Sequence, residues 1–378
     1  MRETLRTEGL DAVAKHVQPA YRTLKEFIER EYLPAAYDAV GIWQADRGDE
    51  LYAYLVKSFT TTELTPREIH ELGLKEVARI RSEMERVKAE VGFNGTLEAF
   101  FTHLRTDKKF FYPDGESYLQ ATRALAKRID PRLVRVFRTL PRLPYGVEPV
   151  PMAIAPDQPA GYAEYGAPDG SRPAYYYVNL YKPESRPKWE MMALALHEAV
   201  PGHCLQGSLA QEAASLPEFR KHAGFTAYVE GWALYAESLG DEMGLYDDPY
   251  DRFGQLTYQM WRAVRLVVDT GMHAFKWDRD RAIRFFMENA AKTELDVVNE
   301  IDRYISWPGQ ALAYKVGELQ IQRLRQRAEA ELGDRFDLRE FHDVILLSGA
   351  MPLSVLDAHV ERWIEKKRSQ RLAMGSGD

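Results

Sequence analysis

An apolar segment that ends in ionisable side chains places the strongest constraint on how this chain folds. Residues 191–196 read Met-Met-Ala-Leu-Ala-Leu, which is typical of a buried helix, and His197, Glu198 and His203 follow closely. Burying two imidazoles and a carboxylate costs free energy unless each group has a partner. Zinc is one such partner, because it binds imidazole nitrogens and carboxylate oxygens, and a neighbouring glutamate can then act as a general base.

The spacing of the two histidines departs from the common pattern His-Glu-x-x-His, which places both one helical turn apart. Here they are six positions apart, so an ideal helix would point them about 120° away from each other. Pro201 and Gly202 can break the helix, because proline removes a backbone hydrogen bond and glycine tolerates unusual dihedral angles. We therefore predict that His197 and His203 bind one ion. The spacing also fits a core helix that ends at Val200, with neither histidine binding metal.

A third ligand is expected on the next helix. Glu230 and Glu237 lie at either end of Glu-Gly-Trp-Ala-Leu-Tyr-Ala-Glu, where a solvated glutamate would be unexpected. Seven positions place them on one helix face but about 10 Å apart along its axis, so one ion can bind only one of them. We favour Glu230 as the ligand and Glu237 as a residue that supports the site. The alternative is an amphipathic helix with two ordinary polar positions.

Four stretches of the sequence resemble the bacterial family known as domain of unknown function 885. They read LALHEAVPGHCLQ, YVEGWALYAE, RAVRLVVDTGMH and RYISWPGQALAYKVGE. This family looks like a member of the gluzincin metallopeptidase clan and is more distantly similar to the thimet-oligopeptidase-like enzymes. The resemblance implies one zinc ion per chain at His197, His203 and Glu230, with Glu198 as the general base. The family usually has a second histidine where this chain has Cys204, which we interpret as a small core residue rather than a soft ligand.

The same patterns predict the fold. Thr65-Pro66-Arg67-Glu68 has the capping threonine, the proline and the glutamate that begin a helix. Residues 174–180 form a β-like run in a region rich in proline and glycine. Together with the resemblance, this predicts a mainly α fold: a large multi-helix zincin or thimet-oligopeptidase-like domain with a small β-sheet before the metal-binding helix. We expect an N-terminal helical subdomain at 1–145, either separate or part of one domain, and a metallopeptidase-like catalytic region at 146–370.

One helical stripe carries further candidates for the site. Arg262, Arg265, Asp269 and His273 share a helix face, because they follow one another at intervals of three or four residues. Taken with the resemblance, we predict that His273 points at the oxyanion of the transition state and that Arg265 binds a substrate carboxylate or fixes Asp269. A solvated face with ion pairs along the helix is the alternative.

Three more residues complete the predicted site. Tyr314 is our candidate for a hydrogen-bond donor to the oxyanion, although a buried tyrosine with a satisfied hydroxyl also fits its surroundings. Tyr177 and Asn179 lie on the predicted strand just before the metal helix, where an extended peptide substrate could pair with it by strand addition. An internal strand is the alternative.

The amino-acid composition limits the classes of molecule that the chain is expected to bind. The chain has 50 Lys and Arg against 57 Asp and Glu, which argues against a nucleic-acid binder. No apolar run approaches the roughly 20 residues of a membrane span, and the single cysteine excludes an intrachain disulfide. We expect a short peptide as the partner, with no nucleic acid and no membrane, and a cytoplasmic location, or a secreted or periplasmic one if the chain is a fragment. We draw no oligomeric state from the sequence.

The predicted function is zinc-dependent hydrolysis of peptide bonds in short peptides, by an exopeptidase or an oligopeptidase. In this mechanism Glu198 takes a proton from the zinc-bound water and passes it to the leaving amine. The alternative is a catalytically inactive helical binding protein on the same scaffold. A di-iron bundle is disfavoured because none of the nine histidines has a glutamate three positions before it.

Overall fold

The computed structural model of this protein describes residues 1–374, and side chains through residue 369. The chain divides into two units, Met1–Val40 and the chain from Gly41 onward. The first unit is a helical segment with α1 (Arg2–Ala12) and α2 (Gln18–Phe27), and none of its 40 residues, all of which are described, is buried.

Helices also form most of the second unit. They are α3 (Gly48–Thr60), α4 (Pro66–Glu90), α5 (Leu97–Thr106), α6 (Gly115–Ile129), α7 (Met191–Glu198), α8 (His203–Glu212), α9 (Glu218–His222), α10 (Thr226–Ser238), α11 (Gly240–Met243), α12 (Pro249–Ala274), α13 (Arg279–Asn289), α14 (Glu294–Ser306), α15 (Ala313–Leu332), α16 (Leu338–Leu346) and α17 (Leu353–Met374). The mainly helical fold is confirmed. The predicted boundary at residue 145 lies inside this unit. None of the helices in residues 1–374 combines the length and apolar character that a bilayer span requires.

Helix α12 is the central helix of the second unit. It packs along α4, whose start has the predicted capping box: the Thr65 hydroxyl accepts the Glu68 N–H at 3.3 Å, and the Glu68 carboxylate accepts the Thr65 N–H at 2.8 Å. It also contacts α7 and α13. Most of its side chains are buried, including Arg262 and Arg265. Helix α12 therefore carries two arginines into the interior beside the helix that bears His197.

The predicted small sheet before the helix that carries His197 is confirmed, and it has three strands. These are β1 (Tyr145–Pro149), β2 (Gly161–Glu164) and β3 (Ala174–Val178), in the order β1-β3-β2. Strand β3 pairs in parallel with β1 and antiparallel with β2, so that Tyr176 lies opposite both Val147 and Ala163. Strand β2 is therefore an edge strand, and it contacts α7 and α8.

Two glycines let α10 and α15 cross in close contact. A Cβ atom on Gly231 would lie 2.5 Å from the backbone of Gly317, and one on Gly317 would lie 1.8 Å from the carbonyl oxygen of Ala227. Both distances are shorter than any side chain tolerates, so only glycine fits at this crossing. The crossing brings Glu230 of α10 and Tyr314 of α15 to the walls of one cleft.

We predict that Gly317→Ala destabilises the chain by about 1–3 kcal/mol, because the added methyl group forces the two backbones apart. The measurement is urea unfolding followed by circular dichroism. Gly224→Ala is the matched control, since a Cβ atom there meets nothing within 4 Å, and it should change stability by less than about 0.5 kcal/mol. Equal unfolding midpoints for the two variants would contradict the close crossing.

Candidate metal centre

The backbone breaks between α7 and α8, as the sequence predicts. Helix α7 ends at Glu198, Ala199 leaves the helical region with ψ −109°, and α8 begins at His203. The Val200–Pro201 peptide bond is cis, and the Pro201 carbonyl accepts a hydrogen bond from the Trp232 indole at 2.9 Å. In the alternative, the helix break only ends a core helix. That alternative is disfavoured because the break brings the rings of His197 and His203 together.

Residue 202 has no room for a side chain. A Cβ atom there would lie 1.8 Å from the carbonyl oxygen of His197. With glycine in place, the chain folds back so closely that the rings of His197 and His203 lie 4.9 Å apart between centroids, at 87° to each other. The six-residue spacing therefore gives two neighbouring imidazoles.

Three ligand atoms converge at this break. The Oε2 atom of Glu230 lies 3.3 Å from Nε2 of His203 and 3.6 Å from Nε2 of His197, and one ligand atom from each residue lies within 4.8 Å of the other two. Zinc bonds of about 2.0–2.1 Å at tetrahedral angles place ligand atoms about 3.3–3.4 Å apart. The separations therefore suit a tetrahedral ion.

The buried atoms of the cluster support the same interpretation. Oε2 of Glu230 is buried and has no hydrogen-bond partner among the described residues, a state that costs free energy unless an ion or water satisfies it. Burial raises the pKa of Glu230, but His203 and His197 outweigh it and hold that pKa well below its usual range. Two imidazoles and an ionised carboxylate are a donor set that zinc prefers.

Glu237 contacts His197 on the side of the ring that does not face the cluster. Its Oε1 atom lies 2.8 Å from Nδ1 of His197, and both side chains are buried. This contact leaves Nε2 facing Glu230 and His203, and a carboxylate in this place typically orients a metal-binding imidazole. Burial lowers the pKa of His197, but the nearby carboxylates of Glu230 and Glu237 outweigh it and raise the pKa to about 9. Metal binding at His197 therefore has to displace a proton.

Cys204 does not join the cluster. It is buried and lies outside the group of His197, His203 and Glu230. Burial raises the pKa of its thiol, which disfavours the thiolate that a metal ligand needs. The structure thus gives Cys204 the surroundings of a small core residue.

A cleft of about 670 Å³ opens on the cluster, a size typical of small-ligand sites. The predicted residues on its wall are His197, Glu198, His203, Glu230, Arg265 and Tyr314. The carboxyl group of Glu198 is partly buried, and burial raises its pKa, partly offset by His197 and His203. The structure therefore brings six of the nine predicted site residues to one cavity.

The prediction for His273 is wrong. Its ring is fully buried outside the cleft wall, where Nδ1 accepts the backbone N–H of Ile42 at 3.1 Å and Nε2 donates to the carbonyl of Tyr304 at 3.0 Å. Both ring nitrogens are therefore hydrogen-bonded to backbone groups. The ring connects α12 to Ile42, which precedes α3, and to Tyr304 of α14. His273 cannot also face an oxyanion.

The predictions for Tyr177 and Asn179 are also wrong. Both neighbours of β3 are occupied, so no substrate strand can add to it. Tyr177 stacks on Tyr162 with ring centroids 5.0 Å apart, and the buried amide of Asn179 donates to backbone carbonyls that include that of Ala155 at 2.8 Å. The strand that lines the cleft is β2, which sequence reasoning missed because four residues carry too little alternation to reveal a strand.

Arg265 lies on the cleft wall but is already paired. Its Nη2 donates to Glu300 at 2.8 Å and its Nε to the Tyr304 hydroxyl at 2.6 Å, while its guanidinium lies 4.3 Å from the Tyr314 ring centroid. Asp269 instead accepts from the Tyr52 hydroxyl at 2.6 Å. The predicted contact between Arg265 and Asp269 is therefore replaced by one with Glu300.

The fold and this cluster define a mainly helical protein with a candidate metal centre beside a cleft. The chain belongs to the family described as bacterial protein of unknown function (DUF885), whose model matches residues 1–360. No curated protein matches it.

Two solved structures are similar to this chain. One is of a "putative lipoprotein" from Colwellia psychrerythraea, with 39% identity and a TM-score of 0.94 over 96% of this chain. The other is of a protein of the same name and of unknown function from Shewanella oneidensis, with 19% identity and a TM-score of 0.72 over 94% of this chain. The second likeness shows the fold alone. This chain spans 63% and 65% of the lengths of those two chains, respectively.

We predict that the purified chain retains about one zinc ion and that His203→Ala loses it, because removing one of three ligands abolishes the tetrahedral site. The measurement is elemental analysis after dialysis. His222→Ala is the matched control, since His222 is exposed and lies outside the cluster, and it should keep the metal. A chain that takes up no zinc, or a His203→Ala variant that keeps it, would contradict this assignment.

Proposed function

We propose that this protein is a zinc-dependent peptidase that hydrolyses peptide bonds in short peptides. The observation that carries the proposal is the convergence of His197, His203 and Glu230 around the partnerless Oε2 atom, with Glu198 beside them on a cleft of about 670 Å³. A metal cluster alone can be structural. A structural zinc site, however, has four protein ligands, whereas three ligands that face a cleft leave one position open, which is typical of catalytic sites.

His197, His203 and Glu230 would hold the zinc ion. When bound, zinc polarises a carbonyl group and lowers the pKa of a water molecule to about 7. Glu237 keeps the His197 ring in the orientation that this role requires, through its 2.8 Å contact with Nδ1.

Glu198 is the proposed general base. It directly follows His197 and lines the cleft together with the three ligand residues. It takes a proton from the attacking water and delivers it to the amine that leaves. Tyr314, on α15, donates a hydrogen bond from its hydroxyl to the carbonyl oxygen as that oxygen gains negative charge.

Strand β2 is the proposed docking edge for the peptide backbone, in place of β3. Its outer edge faces away from β3, and Gly161, Tyr162 and Ala163 line the cleft. An extended peptide that adds to this edge gains main-chain hydrogen bonds whatever its sequence. Broad acceptance of short peptides would follow.

For location we propose the cell envelope rather than the cytoplasm. The similar chain from Colwellia psychrerythraea, at 39% identity, carries a lipoprotein name. Export of an epitope-tagged chain, followed by fractionation of the producing cells, checks this proposal.

We predict that Glu198→Gln lowers kcat/KM for short peptides by about 10²–10⁴-fold while zinc content stays unchanged, because the amide cannot accept the proton. The measurement combines a peptide-library digest read by mass spectrometry with elemental analysis. Glu218→Gln, an exposed position on α9, is the matched control and should leave activity unchanged. A zinc-loaded chain that binds peptides but cleaves none would favour the inactive binding protein instead.

A further inference from the structure

Arg262 is a buried cation on the cleft wall that lacks a close anionic partner. It is 5% exposed. Its Nη1 lies 3.5 Å from the Tyr258 carbonyl, its Nη2 lies 3.8 Å from Oε1 of Glu237, and its Nε has no hydrogen-bond partner among the described residues. Buried guanidinium groups normally have most of their five N–H groups satisfied. Arg262 therefore has unused donors at the cleft.

The nearest carboxylate does not use those donors. Oε1 of Glu237 lies 2.8 Å from Nδ1 of His197, and a separation of 3.8 Å from Arg262 exceeds the length of an N–H···O hydrogen bond. Two other buried cations of the cleft are closely paired: Arg265 with Glu300 at 2.8 Å, and Lys292 with Glu190 at 2.7 Å. Among these three cations, Arg262 is the one without a carboxylate at hydrogen-bond distance.

Aromatic rings hold the guanidinium in place. Its Cζ atom lies 4.7 Å from the ring centroid of Tyr258, 5.1 Å from that of Trp261 and 5.9 Å from that of Tyr314. Such rings restrict the rotation of an arginine and exclude water from it, which strengthens a hydrogen bond to an anion. A planar, oriented guanidinium suits a carboxylate, which it can bind through two parallel hydrogen bonds.

The cleft wall carries both signs of charge. Besides Arg262 it includes the acidic residues Glu198, Glu230, Asp296 and Glu300 and the basic residues Arg186, Arg265, Lys292 and Arg303. The charge of the wall therefore does not select the anion, and the choice of a carboxylate follows from the peptide substrate of the proposed function.

The position of Arg262 relates the anion site to the metal cluster. Nη2 of Arg262 lies 3.8 Å and Nδ1 of His197 lies 2.8 Å from Oε1 of Glu237, so these two nitrogen atoms are no more than about 7 Å apart, the span of about two extended residues. Arg262 also lines the same cleft as the three ligand residues. A peptide whose scissile carbonyl lies at the cluster can therefore bring the carboxylate of the next residue to Arg262.

The geometry points to Arg262 as the binding site for the free α-carboxylate of a peptide's C-terminal residue, so that the enzyme releases single residues as a carboxypeptidase. This inference rests on the proposed function for its chemistry. The anchor is Arg262 rather than Arg265, because Arg265 is paired with Glu300. A C-terminal amide presents no charge to Arg262, and an internal peptide bond presents none either.

The test measures binding, so that it does not depend on turnover. Zinc-loaded Glu198→Gln protein is titrated by calorimetry with the tripeptide Ala-Ala-Phe and with its C-terminal amide. The free acid should bind at least about 10-fold more tightly, the effect of one charge-assisted hydrogen-bond pair. Adding Arg262→Gln should remove this preference and leave zinc content unchanged. Adding Arg279→Gln, an exposed arginine paired with Asp302, should keep the preference.

Three results would overturn the inference. They are equal binding of acid and amide, no binding of the acid at millimolar concentration, and an Arg262→Gln variant that loses zinc and weakens acid and amide alike. The last result would mean that Arg262 serves the metal cluster only. The activity of the unsubstituted protein separates this inference from the proposed function. If acid and amide are cleaved at equal rates, the protein is a peptidase but Arg262 does not bind the terminal carboxylate. If the acid binds selectively but nothing is cleaved, Arg262 binds the carboxylate but the protein is not a peptidase.

Discussion

The contact between residue 202 and the carbonyl of His197 governs the arrangement of the whole site. Because a Cβ atom at 202 would lie 1.8 Å from that oxygen, only glycine lets the chain fold back within the few residues between α7 and α8. On an ideal helix, a spacing of six positions would point the side chains of His197 and His203 about 120° apart. The turn at Gly202 brings them together instead. His203, Glu230 and the open cleft are useful to a metal ion only once this turn has formed.

A second constraint is the cost of burying charge. The interior near the break contains Glu230, Glu237 and Arg262, and none of these groups is favourable in a low-dielectric medium without a partner. Oε1 of Glu237 and Nδ1 of His197 satisfy each other at 2.8 Å. Oε2 of Glu237, Oε2 of Glu230 and Nε of Arg262 have no hydrogen-bond partner in the described part of the chain. Glu230 and Arg262, which line the cleft, differ in sign, and each suits a different ligand: a cation at Glu230 and an anion at Arg262. A cleft that binds a metal ion and a substrate carboxylate side by side would satisfy both.

Local signals in the sequence predicted the parts of the structure that depend on neighbouring residues. The capping box at Thr65, the helix break at Pro201-Gly202 and the strand near Tyr176 depend on residues close in sequence, and all three are present. The predictions that failed depend on packing between distant segments. His273 shares a helix face with Arg265, but the backbone of Ile42, 231 positions away, captures its ring. The pairing of Arg265 with Glu300 and the central place of β3 in the sheet likewise depend on distant elements, which the periodicity of one segment does not encode.

The most direct test of the metal centre is X-ray absorption spectroscopy at the zinc edge of the zinc-loaded chain. The structure predicts a first shell of nitrogen and oxygen only, at about 2.0–2.2 Å, with the outer-shell scattering of two imidazole rings. Glu230→Gln should lower the amount of bound zinc, and the zinc that remains should still show the scattering of two imidazole rings. A sulfur neighbour at about 2.3 Å would mean that Cys204 binds the ion, and scattering from fewer than two imidazoles would mean that the turn at Gly202 does not join His197 and His203. Either result would contradict the proposed centre.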